Sequence, residues 1–126
     1  MVLLACVGAW TAAITATHLP SSDLPSMEVS DKTLHLAGFT GLAGLFGLTL
    51  AAYDTARRRR ILLMLLIMPA YGAMDELTQP YFGRSCELAD WACDVVGAVA
   101  AMAVLELALT GLGRLWPVSA AAQQPE

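Results

Sequence analysis

Charge is scarce in this 126-residue chain: Asp, Glu, Lys and Arg together make up 14% of it, against about 25% in ordinary soluble domains. That scarcity excludes a typical water-soluble domain. Cysteine is also sparse, with Cys6, Cys86 and Cys93 alone. An odd count without CxxC spacing supports neither a disulfide framework nor a zinc knuckle. On one continuous helix Cys86 and Cys93 would lie roughly 10 Å apart, beyond the reach of a disulfide. Aromatics are 7% of the residues and do not interleave with basic ones, so no nucleic-acid surface is indicated. The sequence has no GxSxG, HExxH or P-loop. It also lacks the arginine-proline and serine-glycine-histidine segments expected of a membrane phosphatase. What it holds instead is apolar bulk: 57% hydrophobic residues and a mean hydropathy of +0.60.

That bulk falls into runs long enough to cross a hydrocarbon core, which takes about 17–25 residues. The first covers about residues 1–19 and is uncharged up to Thr17; the basic start of a cleavable signal is missing, so it is read as retained. Residues 18–32 follow, with Pro20, Pro25 and several serines and acids, and form an aqueous loop. Ser30 or Asp31 is placed to cap the next helix. The second span, about 33–53, carries glycines at 38, 41, 44 and 47, a ribbon where a neighbouring backbone could approach closely. A polar turn of residues 54–60 ends in the block Arg57 to Arg60. The third span, about 61–79, includes Pro69, expected to kink it. After a loop marked by Pro80 and Gly83 comes the fourth, about 91–109. The expected fold is therefore all-α, a polytopic transmembrane four-helix bundle formed by residues 1–110. Residues 111–126 are expected to be a cytoplasmic disordered tail.

Four of the seven basic residues sit in the Arg57–Arg60 block. The positive-inside rule places that loop, and with four crossings both termini, in the cytoplasm. The polar residues then gather on the outer side. Asp31, Lys32 and His35 begin the second span, while Asp75, Glu76 and Gln79 end the third. Arg84 lies in the outer loop, and Asp90 and Asp94 open the fourth span. Residues four apart share a helix face, which pairs Asp31 with His35, Asp75 with Gln79, and Asp90 with Asp94. Ionisable groups at this depth cost about 2.5–3.5 kcal/mol each, so they must pair or line a wet cavity. Taken singly, Asp31 and Asp90 are ordinary helix-start residues, and Lys32 and Arg84 can be interfacial snorkelers. Glu106 reads as interfacial at the opposite end. Together, the outer carboxylates outnumber Lys32, Arg84 and His35.

The order of these residues, D-K-T-L-H at 31–35, E-L-T-Q at 76–79, F-G-R at 82–84 and D-W-A-C-D-V-V-G at 90–97, resembles the VanZ-like family. Members of that family of small bacterial membrane proteins show D-K-x-x-H before a glycine-containing span and E-x-x-Q before a short loop with arginine. A further aspartate precedes Asp or Asn, two residues and glycine. The resemblance covers roughly residues 17–105. This chain has Asp94 where the family often has asparagine, which makes its site more acidic. The resemblance implies a multi-pass protein of the bacterial cytoplasmic (inner) membrane.

The expected function is a site on the outer face that binds or acts on an amphiphilic, lipid-linked cell-envelope substrate, with the lipid bilayer as its surroundings. In that scheme His35 or Glu76 is the general acid/base and Asp31 orients His35. Lys32, Gln79 and Arg84 contact the substrate, the two cations meeting an anionic head group. Asp90 and Asp94, with Glu76, would hold a divalent cation. The competing expectation is a non-catalytic membrane scaffold or partner module whose polar cluster is a structural network.

Overall fold

A computed structural model describes residues 1–19 and 29–115 of the chain. It contains four α-helices: α1 (Val2–Thr17), α2 (Asp31–Ala52), α3 (Arg57–Thr78) and α4 (Leu88–Leu115). Among the described residues there is no strand. Most of the outer loop, residues 20–28, and residues 116–126 of the expected tail lie outside the described residues.

Three stretches, Asp31–Ala52, Arg57–Phe82 and Leu88–Leu112, are long and apolar enough to cross a membrane. α1 has 16 residues, a rise of about 24 Å, short of a hydrocarbon core of about 30 Å. Its Thr11 and Thr15 hydroxyls each donate to the carbonyl four residues back, at 2.9 and 2.8 Å. These bonds let polar side chains sit in an apolar helix. The outward faces of the longer helices carry Leu62, Leu65 and Leu66 on α3 and Val96, Val104 and Leu107 on α4. Water would penalise so continuous an apolar surface, whereas lipid would not.

Ser30 caps α2, its hydroxyl accepting the Thr33 N–H at 3.3 Å. α2 ends at Tyr53, and Asp54 turns the chain with φ 53°, a conformation Asp tolerates better than most residues. The arginines expected in this turn are the first turn of α3 instead. Cations at a helix N-terminus oppose the macrodipole, and Glu106 of α4 offsets them. Arg60 donates to both its oxygens, at 2.6 and 3.0 Å, and Arg57 to one at 3.1 Å. Arg60 and Glu106 are buried, so this pair is held between α3 and α4. α3 continues through Pro69, whose carbonyl accepts the Trp91 indole N–H at 3.0 Å. A 3₁₀ turn over Gln79–Phe82 closes at Gly83, φ 75°. Helix α4 runs on to Leu115, which makes the first residues of the expected tail helical.

α2 packs chiefly on α4, α3 also lies against α4, and α1 covers α2. The shared core is Phe39, Leu42, Met64, Met68, Tyr71 and Leu105. Tyr71 stacks between Trp10 of α1 and Phe39 of α2, with ring centroids at 4.7 and 5.5 Å. The glycine ribbon of α2 is not the close-packed surface that its spacing suggests. A Cβ at Gly38, Gly41 or Gly44 would meet nothing within 4 Å, whereas Gly47 faces Leu105 and Met64. The tightest backbone approach is at Gly97 of α4, where a Cβ would come 2.6 Å from the Leu36 carbonyl oxygen.

Two outcomes follow for folded yield and thermal unfolding in detergent. Gly97→Ala should cost about 1–3 kcal/mol through overpacking, with Gly41→Ala unchanged or slightly stabilised. Arg60→Ala should cost about 3–5 kcal/mol by stranding Glu106. Arg57→Ala, whose side chain is 65% exposed, should cost under about 1 kcal/mol.

Candidate functional site

Alternation of the helices brings the end of α1, the start of α2, the end of α3 and the start of α4 to one level. There Gln79 bonds along its own helix end to Asp75 and Glu76, as their spacing suggested, whereas the other polar side chains bond chiefly across helices. Asp31 does not orient His35: both its oxygens accept from Arg84 Nη2, at 3.0 and 2.9 Å. His35 is held instead by Asp94, Nδ1 to Oδ1 at 2.9 Å, with both groups buried. The four-residue spacing placed Asp31 and His35 on one face, but the shorter bond spans the α2–α4 interface. Lys32 donates to Glu87 at 3.0 Å and approaches Asp90 at 3.5 Å. The Glu87 carboxyl is held below its usual range by the Lys32 hydrogen bond.

Glu76 is buried beneath this layer. Its Oε1 accepts the Gln79 amide at 3.2 Å, and its Oε2 accepts the Glu87 backbone N–H at 2.8 Å. It therefore ties the loop before α4 to α3. Its Oε1 also stands 3.7 Å from His35 Nδ1. Gln79 is buried and spends its amide N–H groups on Asp75 and Glu76, within the network. Asp90 and Asp94 fall into two separate groups of potential ligands, one with Asp31 and His35, the other with His35 and Glu76. The expected joint metal pair of Asp90 and Asp94 is thus not within one of these groups, although both groups include His35.

Sequence reasoning passed over a second polar knot. Thr17 donates to Asp75 at 2.8 Å, His18 Nε2 meets the Thr78 hydroxyl at 2.9 Å, and the His18 ring stands edge-on to Phe82. It fastens α1 to the end of α3. The signal available was the adjacency of Thr17 and His18 at the outer end of an uncharged run. Tyr71, also overlooked, is buried with its hydroxyl lacking a hydrogen-bond partner. Its place inside an apolar span gave no signal in the sequence.

Beside the cluster a cavity of about 330 Å³ opens between α1 and α2. Asp31, His35 and Arg84 line one part of it, and Ala16, Phe39 and Leu42 line the apolar part. Gly38 faces it with no side chain. Lys32, Glu76, Gln79, Asp90 and Asp94 do not line it. Cys86 and Cys93 are free thiols outside it.

No protein-family model, no curated protein and no solved structure matches the chain.

Glu76→Gln should lower stability by about 1–3 kcal/mol, because an NH₂ group would then face one of two donors. Hydrogen exchange of the Glu87 amide should speed up in that variant. An unchanged Glu87 amide would show that Glu76 does not anchor the loop.

Proposed function

We propose that this chain is a multi-pass membrane protein of the VanZ-like kind, whose cavity binds an amphiphilic, lipid-linked molecule of the cell envelope. Helices α2, α3 and α4 cross the bilayer, and α1 inserts beside them with residues flanking its helix completing the depth. The arginine end of α3 faces the cytoplasm, as the positive-inside rule requires. Both termini then lie on that side, and the His35 level faces outward.

The observation that carries the reading is the two-part lining of the cavity, Asp31, His35 and Arg84 in one part and Ala16, Phe39 and Leu42 in the other. A volume of about 330 Å³ takes a head group and the first part of a chain, within the usual range of small-molecule sites. Arg84 commits Nη2 to Asp31, and its other guanidinium nitrogens are the donors an anionic head group would meet. If chemistry occurs, His35 is the group to exchange a proton, since it reaches the cavity while Asp94 fixes its ring. Glu76 then supports the site from behind instead of acting on substrate.

A second reading, a non-catalytic module locked by a buried network, is favoured by one feature. Both Glu76 oxygens accept a hydrogen bond from within the protein, as in a network that specifies helix positions.

Binding of a polyprenyl phosphate to the purified protein, read by native mass spectrometry, separates the two. Gly38→Leu, whose Cβ would meet nothing within 4 Å and whose side chain would occupy the cavity, should abolish binding while the protein still folds. Arg84→Ala should weaken it by about tenfold or more. Binding by Gly38→Leu equal to that of the unaltered chain would overturn the cavity reading.

A further inference from the structure

His35, Glu76 and Asp94 each offer one ligand atom, and these atoms lie within 4.8 Å of one another. His35 Nδ1 stands 2.9 Å from Asp94 Oδ1 and 3.7 Å from Glu76 Oε1. Atoms bound to one zinc-sized ion at about 2.0–2.1 Å stand about 3.0–3.4 Å from each other, and the two distances straddle that interval. All three residues are more than nine-tenths buried.

Two further observations bear on this group, and the second, charge, separates it from Asp31, His35 and Asp90, where Asp90 Oδ1 is likewise without a hydrogen-bond partner. The Asp94 Oδ2 atom is buried without a hydrogen-bond partner, which normally costs about 1–3 kcal/mol. It points to the face of α3 that carries Glu76, since a Cβ on Gly72, one turn earlier, would stand 3.0 Å from it. Glycine at 72 therefore leaves the carboxylate room beside Glu76. Charge makes the same case. Arg84 is taken by Asp31, and Lys32 by Glu87 and Asp90. Among the described residues, Glu76 and Asp94 share a single imidazole and no permanent cation.

We propose that His35, Glu76 and Asp94 bind one divalent transition-metal ion of the zinc class. A dication cancels both carboxylates and takes the Nδ1 lone pair of a neutral imidazole whose proton stands on Nε2, so that ligation replaces the contact of Nδ1 with Asp94 Oδ1; the Asp94 carboxylate then also engages the ion through its free Oδ2. The imidazole selects zinc over magnesium, which prefers oxygen ligands and retains its waters. Gln79, bonded to Glu76 Oε1, orients that ligand from outside. Neither Glu76 nor Asp94 lines the cavity, so the metal site stands whether or not an amphiphile binds there.

The test uses the full-length protein in detergent, stripped with chelator, equilibrated with zinc ion and desalted, with metal counted by mass spectrometry. The unaltered chain should retain about one zinc ion, also with magnesium in excess. Asp94→Asn, nearly isosteric, should retain about tenfold less at equal loading, and Asp31→Asn should retain as much as the unaltered chain. No retained zinc in the unaltered chain, or equal retention by Asp94→Asn, would overturn the proposal. Should Asp94→Asn not fold, cobalt loading of the unaltered chain decides. Visible bands of a nitrogen- and oxygen-ligated protein site support it, and the spectrum of aqueous cobalt refutes it. Polyprenyl phosphate binding is measured separately on the metal-free chain, so a failed metal site and a failed cavity give different results.

Discussion

The hydrogen bond from His35 to Asp94 joins the two helices that pack most extensively, α2 and α4, and it does so in an apolar interior where an unpartnered charge is costly. Much of the polar end is arranged around it. The Gly72 face leaves room for the Asp94 carboxylate. Glu76 reaches the same imidazole and holds the loop that starts α4. Asp31, relieved of His35, closes on Arg84 at the cavity. Buried polar networks of this kind set geometry because each member loses much if another moves.

The two ends of the bundle meet the same difficulty with different chemistry. At the arginine end a fork of guanidinium nitrogens fits one carboxylate, and the pair is self-sufficient. At the His35 end carboxylates exceed cations, and hydroxyls, an amide and a backbone N–H satisfy what charge does not. The first arrangement is a clamp. The second leaves atoms free to engage something that is not protein, which is why the proposals concern that end.

Hydropathy alone marked the apolar helices, because length and composition are local properties: α2 and α3 lie within a few residues of the expected spans. Local signals failed where the outcome depended on a neighbour. The arginines read as a turn because charge breaks an apolar pattern, yet Glu106, dozens of residues later, lets them enter α3. Glycine spacing pointed to a packing ribbon on α2, whereas the close approach belongs to the isolated Gly97. The convergence of Asp31, His35, Glu76, Arg84, Asp90 and Asp94 was visible from span ends. Who bonds whom was legible only for Gln79 with Asp75, because four-residue spacing describes one helix and the bonds of His35, Lys32 and Arg84 cross between segments.

The cross-helix pairs share a direction in time. His35 waits for Asp94, Lys32 for Glu87 and Arg60 for Glu106, and all three partners lie in α4 or just before it. A ribosome-bound chain that has delivered α1, α2 and α3 thus carries polar groups whose partners have yet to be synthesised. Only when α4 is present do these three groups meet their partners, so the polar interior of the first three helices is left incomplete until the fourth is made.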